Sequence, residues 1–173
     1  MIVKCLEIYN QNTKQYVDDL SNSFLTKGFH YNVLEIDYSD NTMRYRLIPD
    51  NSGTYNCGIL VRSQDFETVS YNIPNNWVSH SIDKDLSCIS PDKWVNNSLW
   101  HESFFQDYFD SKTEALLCFK EELKQIMSVD QKYIQTMIDE RPNFEFLQKW
   151  KDTMIPLFDE VRDKKMQGWI AGS

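Results

Sequence analysis

Glycine is scarce in this chain, five residues in 173 and none clustered. That excludes the glycine-rich loop whose backbone N–H groups cradle a phosphate. Cysteine is sparse too: Cys5, Cys57, Cys88 and Cys118 contain no C-x-x-C pair, so neither a zinc knuckle nor a redox motif is present. Their apolar flanks, Val3-Lys4-Cys5-Leu6 and Leu116-Leu117-Cys118-Phe119, point to buried free thiols. There are three histidines, His30, His80 and His101. His101-Glu102 lacks the second histidine of a zinc-protease helix, and no cysteine sits in the positive surroundings that would make it a nucleophile. No apolar run approaches the length of a membrane span and no basic-then-apolar leader follows Met1, so a cytoplasmic protein without membrane contact is expected.

Positive charge is also in short supply. Lys and Arg number 18 against 26 Asp and Glu, a formal net charge of -8. Both parts of the chain share it, with six basic against nine acidic residues over 1–78 and twelve against seventeen over 79–173. Such a chain repels nucleic-acid phosphate and suits a basic protein partner. One catalytic pattern needs weighing. Pro91-Asp92 followed by Glu122-Leu123-Lys124 imitates the P-D…E-x-K set of metal-dependent nucleases, in which carboxylates on neighbouring strands hold a divalent ion. Here Glu122 and Lys124 fall in the strongest helical pattern of the chain, which is the wrong context. No catalytic residue, cofactor or metal is expected.

What the chain does have is enough apolar material for a core: 41% hydrophobic and 14% aromatic residues. At this length roughly 70% of the unfolded surface can be buried. From Phe24 to Val78 short alternating runs are separated by turn chemistry, the pattern of consecutive antiparallel strands. Val33, Glu35 and Asp37 share one side of the first run. Ser39-Asp40-Asn41 offers a tight turn into a second run with Met43, Tyr45 and Leu47 on one side. Cys57 to Val61 reads as a third strand, Ser63 to Phe66 as a short helical turn, and Phe66 to Val69 as a closing strand. Met1 to Tyr9 supplies the first strand, followed by a long polar connection. This predicts an α+β protein: a small five-stranded SH3-like antiparallel β-barrel over 1–78, followed by a mostly helical region over 79–173 packed on it.

Beyond Tyr71 the pattern changes. Ile82 to Ile89 allows an extra strand or hairpin. Pro91 to Asp110 interleaves aromatics with acids, and Trp100, Phe104 and Tyr108 recur at helical spacing. Asp92, Trp94, Trp100, Glu102, Asp107 and Asp110 are therefore candidates for a partner-binding surface, the tryptophans serving as apolar anchors. Ser111-Lys112-Thr113-Glu114 has the form of a capping box. Leu116, Phe119, Leu123, Ile126 and Met127 then make a helical stripe that breaks near Ser128 to Asp130 and resumes through Tyr133, Ile134, Met137 and Ile138 to Arg141-Pro142. A last helix is expected from Asn143 to about Gly168, kinked or split in two at Pro156.

Three strings, MIVKCLEIYN, FLTKGFHYNVLEI and FETVSYNIPNNWV, resemble the openings of small bacterial proteins encoded beside polymorphic toxin genes, including contact-dependent growth inhibition systems. The resemblance covers Met1 to Val78, with a longer and more polar first loop here. It implies an immunity protein, a cytoplasmic inhibitor that binds a cognate toxin domain, often a basic nuclease, and blocks its active site. The alternative is a barrel-based adaptor that reads an endogenous protein or peptide through an aromatic groove of Tyr31, Tyr45 and Tyr55.

Overall fold

A computed structural model describes residues 1–10, 13–17, 25–50, 58–83, 86–96, 98–101 and 103–141. These form an α+β fold built on an antiparallel sheet. The strands are β1 (Ile2–Cys5), β2 (Tyr9–Asn10), β3 (Gln15–Tyr16), β4 (His30–Ser39), β5 (Thr42–Leu47), β6 (Ile59–Arg62), β7 (Phe66–Ser70), β8 (Trp77–Asp83) and β9 (Leu86–Pro91). The helices are α1 (Asp92–Val95), α2 (Phe104–Phe109), α3 (Thr113–Ser128) and α4 (Ile134–Glu140), with 3-10 turns at Ser63–Asp65 and Gln131–Tyr133.

β4 is the organising strand. Its ten residues extend about 34 Å at the usual rise, and β5 pairs along one edge from Val33↔Leu47 to Ser39↔Thr42. The other edge is divided: His30 to Asn32 pair with β1, and Ile36 to Ser39 pair with β9. One branch continues from β1 to β7 and the other from β9 to β8. The hairpin turn carries Asp40 and Asn41 at φ of 50° and 57°, the left-handed pair of a two-residue type I′ connection.

Strand order along the main path is β6-β5-β4-β1-β7. This differs from the expected five-stranded barrel in two respects. The β8–β9 hairpin joins the same sheet, and the sheet does not close, because among the described residues β6 and β7 form no ladder with each other. A branch laid on the far half of β4 extends the sheet there instead of letting that edge curl round. The short turn before β7 falls where it was expected, at Ser63–Asp65.

A register shift between Val33 and Glu35 in the β4–β5 ladder makes Leu34 an extra residue. The bulge lets consecutive side chains turn inward, and Val33 and Leu34 are both fully buried. Gly58 is needed beside it: at φ of 90° an added Cβ would stand 2.9 Å from Leu47 O and from Arg46 Cγ. Past the bulge the ladder turns polar. Glu35 pairs with Arg46 at 3.0 Å and Asp37 with Arg44 at 2.6 Å, both carboxylates buried, and the Arg46 guanidinium lies 3.9 Å from the Phe105 ring centroid on α2.

The helices cover this sheet through aromatic stacking. Trp94 lies nearly parallel to Phe104 at 4.7 Å and to Phe119 at 5.8 Å, and α3 buries Ala115, Phe119, Leu123, Ile126 and Met127. The helix breaks after Ser128 and resumes as α4, as the sequence implies. Arg141 then clamps α4 to the sheet. Its side chain pairs with Asp50, donates to His30 O at 2.9 Å and lies over Phe29 and Tyr31.

The capping box is a correction. Ser111 has φ of 58° and belongs to the end of α2. Lys112 N–H donates to Asp107 O and Ser111 N–H to Tyr108 O, the paired bonds of a Schellman motif. α3 starts after Lys112 with no side-chain cap. The genuine cap is Ser103, whose hydroxyl accepts from Gln106 N–H at the start of α2. The helix expected from Asn143 lies outside the described residues.

Candidate protein-interaction surface

The six candidate residues divide by where α1 and α2 point them. Asp92 opens α1 and is exposed, its carboxylate accepting from the Asn96 amide. Asp110 is exposed at the end of α2 and accepts from Gln106 Nε2 at 3.2 Å. Trp100 is half-buried, its Nε1–H donating to Lys93 O at 2.8 Å. Trp94 and Asp107 face inward. Trp94 is only 4% exposed and stacks on Phe104 and Phe119, so it packs the helices together. Asp107, 2% exposed, accepts from Lys112 Nζ at 2.6 Å and from His101 N–H at 3.1 Å. The Lys112 bond comes first in holding its carboxyl below the ordinary range. Glu102 lies outside the described residues.

Other residues take the place of the inward pair. Phe109 is 51% exposed and Leu117 56% exposed. On α2, Gln106, Phe109 and Asp110 share one face by their i, i+3, i+4 spacing, and all three are exposed. On α3, Glu114 and Leu117 share the outer face one turn apart. Neither Phe109 nor Leu117 belongs to the apolar stripes read from the sequence, and that departure is the signal that could have found them.

The distribution of compensated charge sharpens the picture. The sheet's buried carboxylates are matched: Glu35 by Arg46, Asp37 by Arg44, and Asp65 by Arg62. In the helical layer Asp92, Asp110 and Glu114 are exposed, and none has an ion-pair partner among the described residues. Asp110 and Glu114 thus stand beside the uncovered Phe109 and one turn from the uncovered Leu117, with exposed Lys120 on the other side of Leu117.

The residues of the other readings are placed less favourably. Tyr31 and Tyr45 are 3% and 5% exposed. Tyr31 donates to Asp50 at 2.6 Å and Tyr45 meets Phe66 edge-on, so both belong to the core; Tyr55 is outside the described residues. Glu122 is fully buried in α3 and accepts from Asn76 Nδ2 at 2.6 Å, while Asp92 and Lys124 are exposed. Among the described residues no three His, Cys, Asp or Glu side chains stand together as a metal site. Cys5, Cys88 and Cys118 are free and buried; burial pushes the Cys5 thiol up to about 12 and Cys118 to about 11, far from nucleophilic. Among the described residues no helix is long and apolar enough to cross a membrane.

A second surface feature lies on the sheet side. A small cleft, open to solvent, is lined by Glu7, Ile8, Tyr9, Leu25, Val61, Arg62, Asp65 and Phe66. Comparison with family models, with curated proteins and with solved structures gives no match in any of the three. The likeness of the opening strings therefore carries no family assignment.

Proposed function

We propose that this protein acts by occupying a basic macromolecular partner, as an immunity protein that binds a cognate toxin domain and blocks its active site. The observation that carries this reading is the pairing of uncovered Phe109 and Leu117 with the unneutralised carboxylates of Asp92, Asp110 and Glu114. Uncovered apolar side chains in a layer that exposes unpaired carboxylates suit a desolvated contact with a steering field beside it. A nuclease groove, built to hold phosphate, presents the matching positive surface. The β7-β1-β4-β5-β6 order, the long first connection and the 3-10 turn before β7 support reading the main path as an opened relative of the SH3-like barrel.

The test is binding to the toxin domain encoded by the adjacent gene. Joint reversal of Asp92, Asp110 and Glu114 to Lys should slow association by about tenfold or more at low salt, with less effect at high salt. Phe109→Ala should speed dissociation without lowering the melting temperature. Unchanged rates in both variants, with the fold intact, would remove this surface from the proposal.

A further inference from the structure

The arm bearing β2 and β3 ends against the 3-10 turn in a cluster that already holds a guanidinium. Arg62 Cζ lies 3.6 Å from the Tyr9 ring centroid and 5.6 Å from that of Tyr16. Arg62 Nε and Nη2 donate to the two Asp65 oxygens, each at 3.1 Å, and Nη2 also donates to Tyr16 Oη at 3.2 Å. Two electron-rich ring faces and a carboxylate met by two nitrogens are the chemistry that selects arginine over lysine.

Two observations separate the cage from the residue filling it. Asp65 is held without Arg62's help: its carbonyl oxygen accepts from Leu6 N–H and Glu7 N–H, and its carboxylate accepts from Tyr16 Oη at 3.3 Å. Tyr16 is 52% exposed, and Tyr9, Arg62 and Asp65 line the same solvent-open cleft as the apolar Ile8, Leu25, Val61 and Phe66, which can take the stem of a second long side chain.

We propose that this cage is a binding site for an arginine side chain presented by a protein partner, and that Arg62 is its intramolecular stand-in, displaced on binding. The exchange is like for like at Asp65 and the two rings. Self-occupancy therefore reduces the apparent affinity by the fraction of molecules with the cage open, and Arg62 swings into solvent at the end of β6. The site says nothing about what the partner does, so it stands or falls apart from the α2–α3 surface.

The experiment titrates the full chain carrying Arg62→Met with N-acetyl-arginine amide, followed by the ring signals of Tyr9 and Tyr16 in NMR spectra. Saturable binding at least about tenfold tighter than in the wild type is expected, weaker with the lysine analogue, undetectable with the uncharged citrulline analogue, and lost when Asp65→Asn is added. A folded Arg62→Met protein that responds equally to arginine and citrulline, or no more than the wild type does, overturns the proposal. Should Arg62→Met fail to fold, Arg62→Lys replaces it, keeping the charge while removing the planar fork. That variant must also bind the arginine analogue more tightly than the wild type, and no gain overturns the site.

Discussion

Arg46→Met tests the buried polar ladder at its most demanding point. Arg46 is the ion-pair partner of Glu35 at 3.0 Å and lies over Phe105 of α2, so one side chain both neutralises a buried acid and ties helix to sheet. Methionine keeps a long flexible stem and a sulfur contact with the ring, which isolates the electrostatic loss. Glu35 is 7% exposed, and Arg44, the next cation on β5, is engaged with Asp37. Leaving a buried charge without its partner costs about 3–5 kcal/mol, which for a chain of this length lowers the melting temperature by about 6–20 °C. Burial already holds the Glu35 carboxyl above its ordinary range, with Arg46 opposing; removing Arg46 raises it further. A group whose folded pKa is raised contributes stability that is complete below its unfolded value, about 4.3, and lost as pH rises through the folded value. The Arg46→Met deficit should therefore be largest near neutrality and shrink toward pH 4. Urea unfolding of Glu35→Gln, Arg46→Met and the double variant, at both pH values, measures this. Equal deficits at the two pH values, or a double variant no more stable than Arg46→Met alone, would refute the reasoning.

Three further outcomes follow from the geometry. Asp107→Asn should melt below the wild type at neutral pH, with the gap closing in acid. The Lys112 bond depresses the folded pKa, so its stabilisation is present above about 3.9 and lost as pH falls through the lower folded value; thermal melts across pH read it. Gly58→Ala should destabilise by about 2 kcal/mol or more in chemical denaturation, since φ of 90° and a contact with Leu47 O at 2.9 Å combine strain with overlap. Arg141→Met should loosen α4 locally, leaving Asp50 without its cation, and limited tryptic cleavage at exposed Lys132 should accelerate more than the global melting temperature drops.

What could be read from the residues was what short-range chemistry decides. Asp40-Asn41 tolerates the left-handed turn on its own terms, and the break between Met127 and Tyr133 follows from where the apolar spacing lapses. The β8–β9 hairpin is faint in the sequence, because serines at 79, 81, 87 and 90 dilute the alternation and its pairing with β4 depends on contacts about fifty residues away. Ser111-Lys112-Thr113-Glu114 misled because a capping box competes with the ending of the preceding helix, and the Schellman bonds of α2 take Ser111 first. Trp94 and Asp107 misled for a related reason: aromatic and acidic residues crowded on short helices look alike whether they face solvent or core. Only the stacking on Phe104 and Phe119, and the reach of Lys112, decide the direction.

β4 carries two branches on one edge, and this orders how the sheet comes apart. Its amides bond alternately to β5 on one edge and to β1 or β9 on the other, so both halves of the strand are held from both sides and should be slow to exchange with deuterium. β7 and β8 each have one neighbouring strand among the described residues and should fray first. α3 and the turn that follows it also tie the two branches together, Asp130 accepting from Ser70 of β7 and Glu122 from Asn76 just before β8, so a grip on one branch reaches its counterpart through that helix as well as through the shared beam.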